Sequence, residues 1–425
     1  MINIDLIRSS PALVIKDLER RRMPELVPAV HELRAKDAKW RTVKSEVEKI
    51  RAERNKLSRQ VNEAKKAGRD VQALLAEAKE IPSQIEKKER TLARLQEFIS
   101  RTLLQLPNML DGTVPLGEVD GGNVEVRTWG RLPKFSFSPR NHIELCESLD
   151  LADFERSSKI AGKGFYFLKN ELVLLEQALV RFALDTLRKK GFTLTAPPLL
   201  LRHAPYQGVT DLAAFQEVMY KIEQQDAYLI ATSEHPLVAQ FMQEILGEKQ
   251  LPIRLAGVSS CFRKEAGRHS VDEKGLFRVH QFTKVEQVVV CTPEESGKWH
   301  EELLANAEEI FQALGLPYRV MLLCSADTGR VMAKTYDLEV WMPHQQQYRE
   351  AVSCSTATDY QARRLGIRYR AGSENRLVHT LNSTAVATTR ALVAILENGQ
   401  QKDGSVKVPD VLVPYMGGIE VIEKR

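Results

Sequence analysis

The sequence predicts an α+β protein in two parts, an N-terminal antiparallel helical hairpin followed by a mainly antiparallel sheet flanked by helices. Three observations predict it. Two long heptad seams run between residues 26 and 106, with a short break between them. A Pro/Gly/Asp-rich stretch from Pro107 to Gly122 then ends both periodicities. Beyond it, short β-like runs and single helices alternate without the ~30-residue strand–helix–strand repeat of a doubly wound parallel sheet. The domain boundaries that follow are 1–110 and 111–425.

The first seam reads Leu26, Ala29, Leu33, Lys36, Trp40, Val43, Val47, Ile50, Arg54, Leu57, Val61, Ala64. Its three–four spacing is that of one face of a coiled coil. The second reads Leu74, Ala78, Ile81, Ile85, Lys88, Leu92, Leu95, Ile99, Thr102, Leu106. Between them, Gly68 suits a helix C-terminus and Asp70 the next N-cap. So short a connection makes the helices antiparallel neighbours, each roughly 60 Å long at ~1.5 Å per residue. Pro82 inside the second helix predicts either a local kink or a late start there.

Charge distinguishes the hairpin from the rest. Residues 26–106 hold 19 Lys and Arg against 12 Asp and Glu, and the other 344 hold 42 against 44, so the net +5 of the chain comes from this segment. That pattern suits two uses: a dimerisation or spacer arm whose charges only solvate it, or a rigid probe for a phosphate backbone. Aromatic residues are scarce along it, Trp40 on the seam and Phe98 beside it, so recognition by shape and phosphate is expected rather than base stacking.

With 43 % hydrophobic and 28 % charged residues, the 425-residue chain reads as an ordinary soluble globular protein. No apolar run approaches the ~20 residues of a membrane span. The first eight residues mix acid and base without an apolar signal core, so a cytoplasmic protein with no membrane partner is expected. Cys146, Cys261, Cys291, Cys324 and Cys354 are scattered, with neither a disulfide framework nor metal-ligand spacing.

In the second part, helices are expected near 170–190, 294–314 and 387–399, and strands near 192–201, 227–233, 253–262, 318–324, 335–342, 347–355 and 378–386. Neither GxGxxG nor GxxxxGK[ST] occurs, so nucleotide chemistry here needs another architecture. The richest stretch is 253–290. A strand to Phe262 leads into a polar loop with Arg263, Lys264, Glu265, Arg268, His269, Asp272 and Lys274, and a second strand is expected from Leu276 to Val290. Period two then sets Arg278, His280, Phe282, Lys284 and Glu286 on one face. Phe282 and Glu286 stand roughly 13 Å apart along such a strand, the separation of a purine at one end and a small amine at the other. His280 reads as a structural histidine.

These residues reach a known family. Cys261-Phe262-Arg263-Lys264-Glu265-Ala266-Gly267 with Phe277-Arg278-Val279-His280-Gln281-Phe282 resembles motif 2 of the class II aminoacyl-tRNA synthetases, in the seryl-tRNA synthetase form. Thr232-Ser233-Glu234 resembles that family's serine-binding Thr-x-Glu. Lys334-Thr335-Tyr336-Asp337-Leu338-Glu339-Val340-Trp341 and Arg349-Glu350-Ala351-Val352-Ser353-Cys354-Ser355 resemble its later signatures. The segment from His379 to Arg390 resembles motif 3, and Pro198 the motif 1 proline. Ser383-Thr384-Ala385 and Ala387-Thr388-Thr389 replace the glycine-rich motif 3 of bacterial members, as in archaeal and eukaryotic relatives. The zinc-dependent branch is not favoured.

The resemblance implies a class II synthetase catalytic domain that uses ATP and Mg²⁺ to attach L-serine to serine tRNA through a seryl-adenylate, and selenocysteine tRNA where present. It implies Arg263, Arg390 and Glu350 as catalytic residues. It implies Thr232, Ser233, Glu234, Arg263, Glu286, Asn382 and Thr384 around serine. For ATP it implies Arg263, Lys264, Glu265, Arg278, Val279, Phe282, Glu350, Ala351, Val352, Ser353 and Arg390, with Glu350 and Ser353 on Mg²⁺. It implies a homodimer whose hairpin holds the long variable arm of the tRNA, the acceptor end meeting the motif 2 loop. Glu350 and Ser353 differ in parity, so they share a site only if their strand bulges between them. A catalytically inactive paralogue serving as an RNA-binding or scaffold protein is the competing expectation, and adenylation with transfer of serine to a carrier protein a third.

Overall fold

The computed structural model describes residues 1–118, 121–215, 217–265 and 275–424. Arg268, His269, Asp272 and Lys274 therefore lie outside the described residues. The chain forms two compact units, Met1–Pro107 and Asn108–Arg425.

In the first unit, two short helices, α1 (Ile4–Ser9) and α2 (Pro11–Arg20), precede the long α3 (Val27–Lys66) and α4 (Gln72–Gln105). The buried positions Leu33, Val43, Val47, Leu57 and Val61 of α3 and Ile81, Ile85, Leu95 and Ile99 of α4 follow the two seams. At the base of the hairpin the stripe shifts by one residue: Val30 and Asp37 are buried. Asp37 is there to receive Arg8 of α1, with Nη2 and Nε at 2.7 and 2.9 Å. Arg51–Glu89 and Lys88–Glu46 pair across the hairpin, each at 2.6 Å. Gly68, at φ +65°, takes the left-handed conformation that closes α3, and Arg69 N–H reaches back to Ala64 O. Asp70 accepts from Gln72 N–H at 2.9 Å, while the N-cap position itself falls one residue later, at Val71. The helix does not start late at Pro82; α4 is already helical from Gln72, ten residues earlier.

The second unit is built on an eight-stranded sheet. Its strands are β1 (Val124–Trp129), β2 (Thr193–Thr195), β3 (Ile253–Phe262), β4 (Gln281–Cys291), β5 (Tyr318–Leu322), β6 (Lys334–Met342), β7 (Gln347–Thr358) and β8 (His379–Ala387). Their spatial order is β1-β5-β6-β7-β8-β4-β3-β2, antiparallel throughout except for β2 beside β3. The helices used below are α5 (Asn170–Lys189), α6 (His203–Val209), α7 (Glu234–Ala239), α8 (Ser296–Ala313), α9 (Tyr360–Leu365) and α10 (Thr388–Gly399).

Strand β4 shows how the sheet divides the interior. Its odd residues Val285 and Val289 join the large core that includes Leu303, Ile310 and Phe311 of α8. Its even residues Val288 and Val290 join a second core with Tyr206, Leu237 and Leu365, on α6, α7 and α9. Gln287, fully buried on the odd side, donates to Leu303 O and accepts from Asn306 Nδ2. The even face is thus apolar at its far end and polar nearer Phe282, where the cleft opens. All five cysteines are buried free thiols. No described helix is long and apolar enough to cross a membrane.

Candidate active site

A cleft of about 330 Å³ opens on the even face of β4. Phe282, Lys284 and Glu286 line it from β4, and Asn382 and Thr384 from the neighbouring β8. Glu350, Ala351 and Ser353 line it from β7, and Arg390 from the first turn of α10. Thr232 and Glu234 enter from the start of α7, and Arg263 and Glu265 from the segment after β3.

Two bulges make this possible. Between β6 and β7, Leu338 faces Val352 and Glu339 faces Glu350, which leaves Ala351 as an extra residue. The extra residue reverses parity, so Glu350 and Ser353 meet the same cavity. Between β8 and β4, Thr384 faces Glu286 and Val386 faces Val285, with Ala385 extra. Asn382 and Thr384 before that bulge and Ala387 after it therefore line one cleft.

The expected strand from Leu276 is corrected: β4 begins at Gln281, and residues 275–280 form bends and a single irregular residue. Parity consequently holds for Phe282, Lys284 and Glu286 and fails before them. His280 lies outside the cleft, its N–H donating to Gly164 O and its Nδ1 2.5 Å from the Tyr220 hydroxyl. Arg278 and Val279 reach the cleft through the bend instead. Glu265 sits at φ +49°, a costly conformation for a residue with a side chain, and it holds Arg278 at 3.0 Å.

Three expected residues are not brought to the cleft. Ser233 is fully buried with its hydroxyl toward Gly257 O at 3.4 Å. Lys264 sets its ammonium over the Tyr220 ring, 5.6 Å from the centroid. Val352, the residue after the bulge, points into the large core. Conversely, Lys284, Phe277, Asp327, Thr335 and Ser355 line the cleft without having been selected from the sequence. Lys284 belonged to the alternating face and could have been found by it. Phe277, by the same alternation, fell on the wrong face. Its ring carries two guanidinium groups, Arg349 at 4.4 Å and Arg390 at 5.4 Å from the centroid.

The electrostatics fall into two ends. At one, Arg390 donates to Glu350 at 2.9 Å, and this guanidinium holds the Glu350 carboxyl below its ordinary range. Asp337, opposite Ser353 across the ladder, goes the other way: burial and the nearby Glu350 charge push it well above the carboxylate range. Its Oδ1 is buried and unpartnered. The carboxylate of Glu350 and hydroxyl of Ser353, an all-oxygen pair beside that atom, fit a hard divalent cation. At the other end, Lys284 Nζ lies 2.5 Å from Glu286 Oε2, and Thr384 Oγ1 donates to the same oxygen at 3.3 Å. Burial and the facing Glu286 push Glu234 up to about 7. Asn382 Nδ2 is buried without a partner, a donor left for whatever enters. Between the ends, Arg263 lies over the Phe282 ring, 5.4 Å from its centroid.

An anionic group fits among Arg263, Arg278 and Arg390, and a small cationic one between Glu234 and Glu286. The model of the class II tRNA synthetase core domain (G, H, P, S and T) matches residues 219–399, and that of the seryl-tRNA synthetase N-terminal domain matches residues 1–110. The serine–tRNA ligase of Methanocella arvoryzae is 53 % identical over 425 residues, 99 % of this chain and 100 % of the relative. The chain belongs to the seryl-tRNA synthetase family. It is accordingly a class II aminoacyl-tRNA synthetase in fold and enzyme class. The crystal structure of seryl-tRNA synthetase from Pyrococcus horikoshii, complexed with ATP, superposes with a TM-score of 0.96 at 45 % identity, covering 100 % of both chains. The cytoplasmic Naegleria fowleri enzyme, in complex with AMP, gives 0.90 at 35 % identity, covering 100 % of this chain and 99 % of the other.

Proposed function

We propose that this seryl-tRNA synthetase condenses L-serine with ATP to seryl-adenylate, releasing pyrophosphate, and passes the seryl group to the 3′-terminal hydroxyl of serine tRNA, and of selenocysteine tRNA in cells that have one, releasing AMP. The observation that carries the reading is the two-ended cleft, with Arg390 and Arg278 toward one end, Arg263 between the ends, and two buried carboxyl groups at the other.

The serine carboxylate is already ionised at neutral pH, so its attack on the α-phosphorus needs no general base. It needs in-line placement and cations around the pentavalent phosphorus. Arg263 serves the α-phosphate, and Arg390 the γ-phosphate, with Arg278 beside them; guanidinium forks match paired phosphate oxygens. Phe282 stacks on adenine, Glu265 accepts from its exocyclic amine, and Val279 and Ala351 complete the nucleotide wall. Glu350 and Ser353 would hold a Mg²⁺, which supplies charge neutralisation to the phosphates. At the other end Glu234 and Glu286 receive the ammonium, and Thr232, Asn382 and Thr384 bind the hydroxyl. A buried site built around that hydroxyl discriminates against alanine and glycine, because its own polar groups would stay unpaired. Threonine is expected to be rejected for its extra methyl.

The hairpin, with its excess of Lys and Arg, fits the phosphates of the long variable arm. Exposed Leu194, Leu199 and Leu200 flank Pro198 in the segment resembling motif 1, which fits burial against a second copy in a homodimer. Amino-acid-dependent exchange of labelled pyrophosphate into ATP, without tRNA, tests the reading. Exchange is expected with serine and not with alanine, glycine, threonine or cysteine. Absence of exchange with serine would leave the hairpin as the functional part and the cleft inactive.

A further inference from the structure

Glu234 occupies the first position of α7 and lines the cleft, but its orientation is set from behind. Gln361, on α9 and 1 % exposed, donates through Nε2 to Glu234 Oε1 at 2.8 Å. The same nitrogen donates to Val209 O at 2.9 Å, at the end of α6. Gln361 Oε1 in turn accepts from Thr380 Oγ1 of β8 at 2.6 Å, and Thr380 is fully buried. This set of partners allows one orientation of the amide. With Glu234 ionised, the reversed amide would set its oxygen against a carboxylate and a carbonyl, two acceptors with no proton between them. Gln361 does not line the cleft, and no step above uses it.

We propose that Gln361 is a positioning residue for amino-acid recognition: its amide, clamped by Thr380 and Val209, fixes the Glu234 carboxylate where it receives the ammonium of serine. This rests on the assignment of Glu234 to serine made above.

The charged groups around Glu234 explain why the clamp matters. Glu286 and Lys284 face it from β4, Arg263 from the segment after β3, and Gln361 from α9. On its own segment, Thr232 Oγ1 accepts from the Glu234 N–H at 3.2 Å. Burial and Glu286 favour the protonated acid, whereas Gln361, Lys284 and Arg263 favour the carboxylate. Lys284 lies 2.5 Å from Glu286, and Glu234 is the carboxyl that burial and the facing Glu286 push up to about 7. Only the carboxylate attracts an ammonium, so serine affinity falls as the medium is acidified through about pH 7.

The test is serine-dependent pyrophosphate exchange by the full-length protein across pH. Gln361→Met keeps length and volume but donates nothing. It is expected to raise the KM for serine roughly tenfold or more, the effect of losing a bond to a charged group, with the KM for ATP and kcat at saturating serine unchanged. It is also expected to move the midpoint of the KM profile to higher pH, which a merely structural role would not do. Thr380→Val, which frees the amide without removing it, should move both quantities in the same direction by less, and it carries the test if Gln361→Met does not fold. Glu234→Gln separates the two claims. If Glu234→Gln raises the KM for serine while Gln361→Met and Thr380→Val leave KM and midpoint in place, the positioning role is overturned and the serine assignment stands. If Glu234→Gln leaves the KM for serine unchanged, both fall. A Gln361→Met protein with serine and ATP affinities equally weakened and an unmoved pH midpoint likewise overturns the proposal.

Discussion

Between Val27 and Gln105 the apolar residues repeat every three or four positions, and the cationic side chains outside the seam stand in water; Lys56 and Arg59, for example, are exposed. In the cleft, Lys284 and Glu286 are 6 % and 1 % exposed, and Glu234 is 7 % exposed. The two regions carry similar residue types under opposite dielectric conditions. A solvated charge interacts weakly with its neighbours, so a phosphate-reading surface is a sum of small, nearly independent contributions, each screened by salt. Buried charges interact strongly, and removing one strands its partner. Loss of function should therefore be gradual along the arm and abrupt in the cleft.

Glu286→Ala gives the largest single-residue effect. It removes one of the two carboxyl groups proposed to receive the ammonium and leaves Lys284 buried without its 2.5 Å partner. Serine-dependent pyrophosphate exchange is expected to fall about a hundredfold or more, with ATP affinity measured by calorimetry nearly unchanged. Turnover equal to the parent at saturating serine would break the contrast from the cleft side. At the small end, Arg59→Ala on the exposed groove of the hairpin should weaken tRNA binding only about two- to threefold. It should also reduce the slope of log affinity against log salt by about one. A hundredfold loss from this one change would show the arm to be as focused as the cleft.

The same physical difference governs what the sequence reveals. Helical periodicity is local, so Leu33, Val43, Val47, Leu57 and Val61 can be placed on one stripe from their spacing alone. At Val30 and Asp37 the stripe shifts, and Asp37 is turned inward to a partner, Arg8, that lies on another helix. In the sheet, Phe282, Lys284 and Glu286 were legible for the same reason, by alternation within one regular strand. Alternation stops being informative where the backbone is irregular. It misplaced Phe277 and His280 because the chain bends before Gln281, and it could only require a bulge between Glu350 and Ser353, not locate it. Ala351 and Ala385, the inserted residues, are ordinary alanines with no local signature of a bulge. Gln361 was illegible altogether, since its meaning lies in a carboxylate 127 residues away.

On the proposed function the two units divide the work, the cleft making the adenylate and the arm bringing the tRNA. The most direct measurement compares the full chain with one in which residues 27–105 are replaced by a short flexible linker, assaying serine-dependent pyrophosphate exchange and serine tRNA charging in the same preparations. Exchange is expected to stay within about twofold of the full chain and charging to fall by about a thousandfold or more, the scale of losing many phosphate contacts at once. Equal loss of both activities, or charging that survives without the arm, would contradict this division.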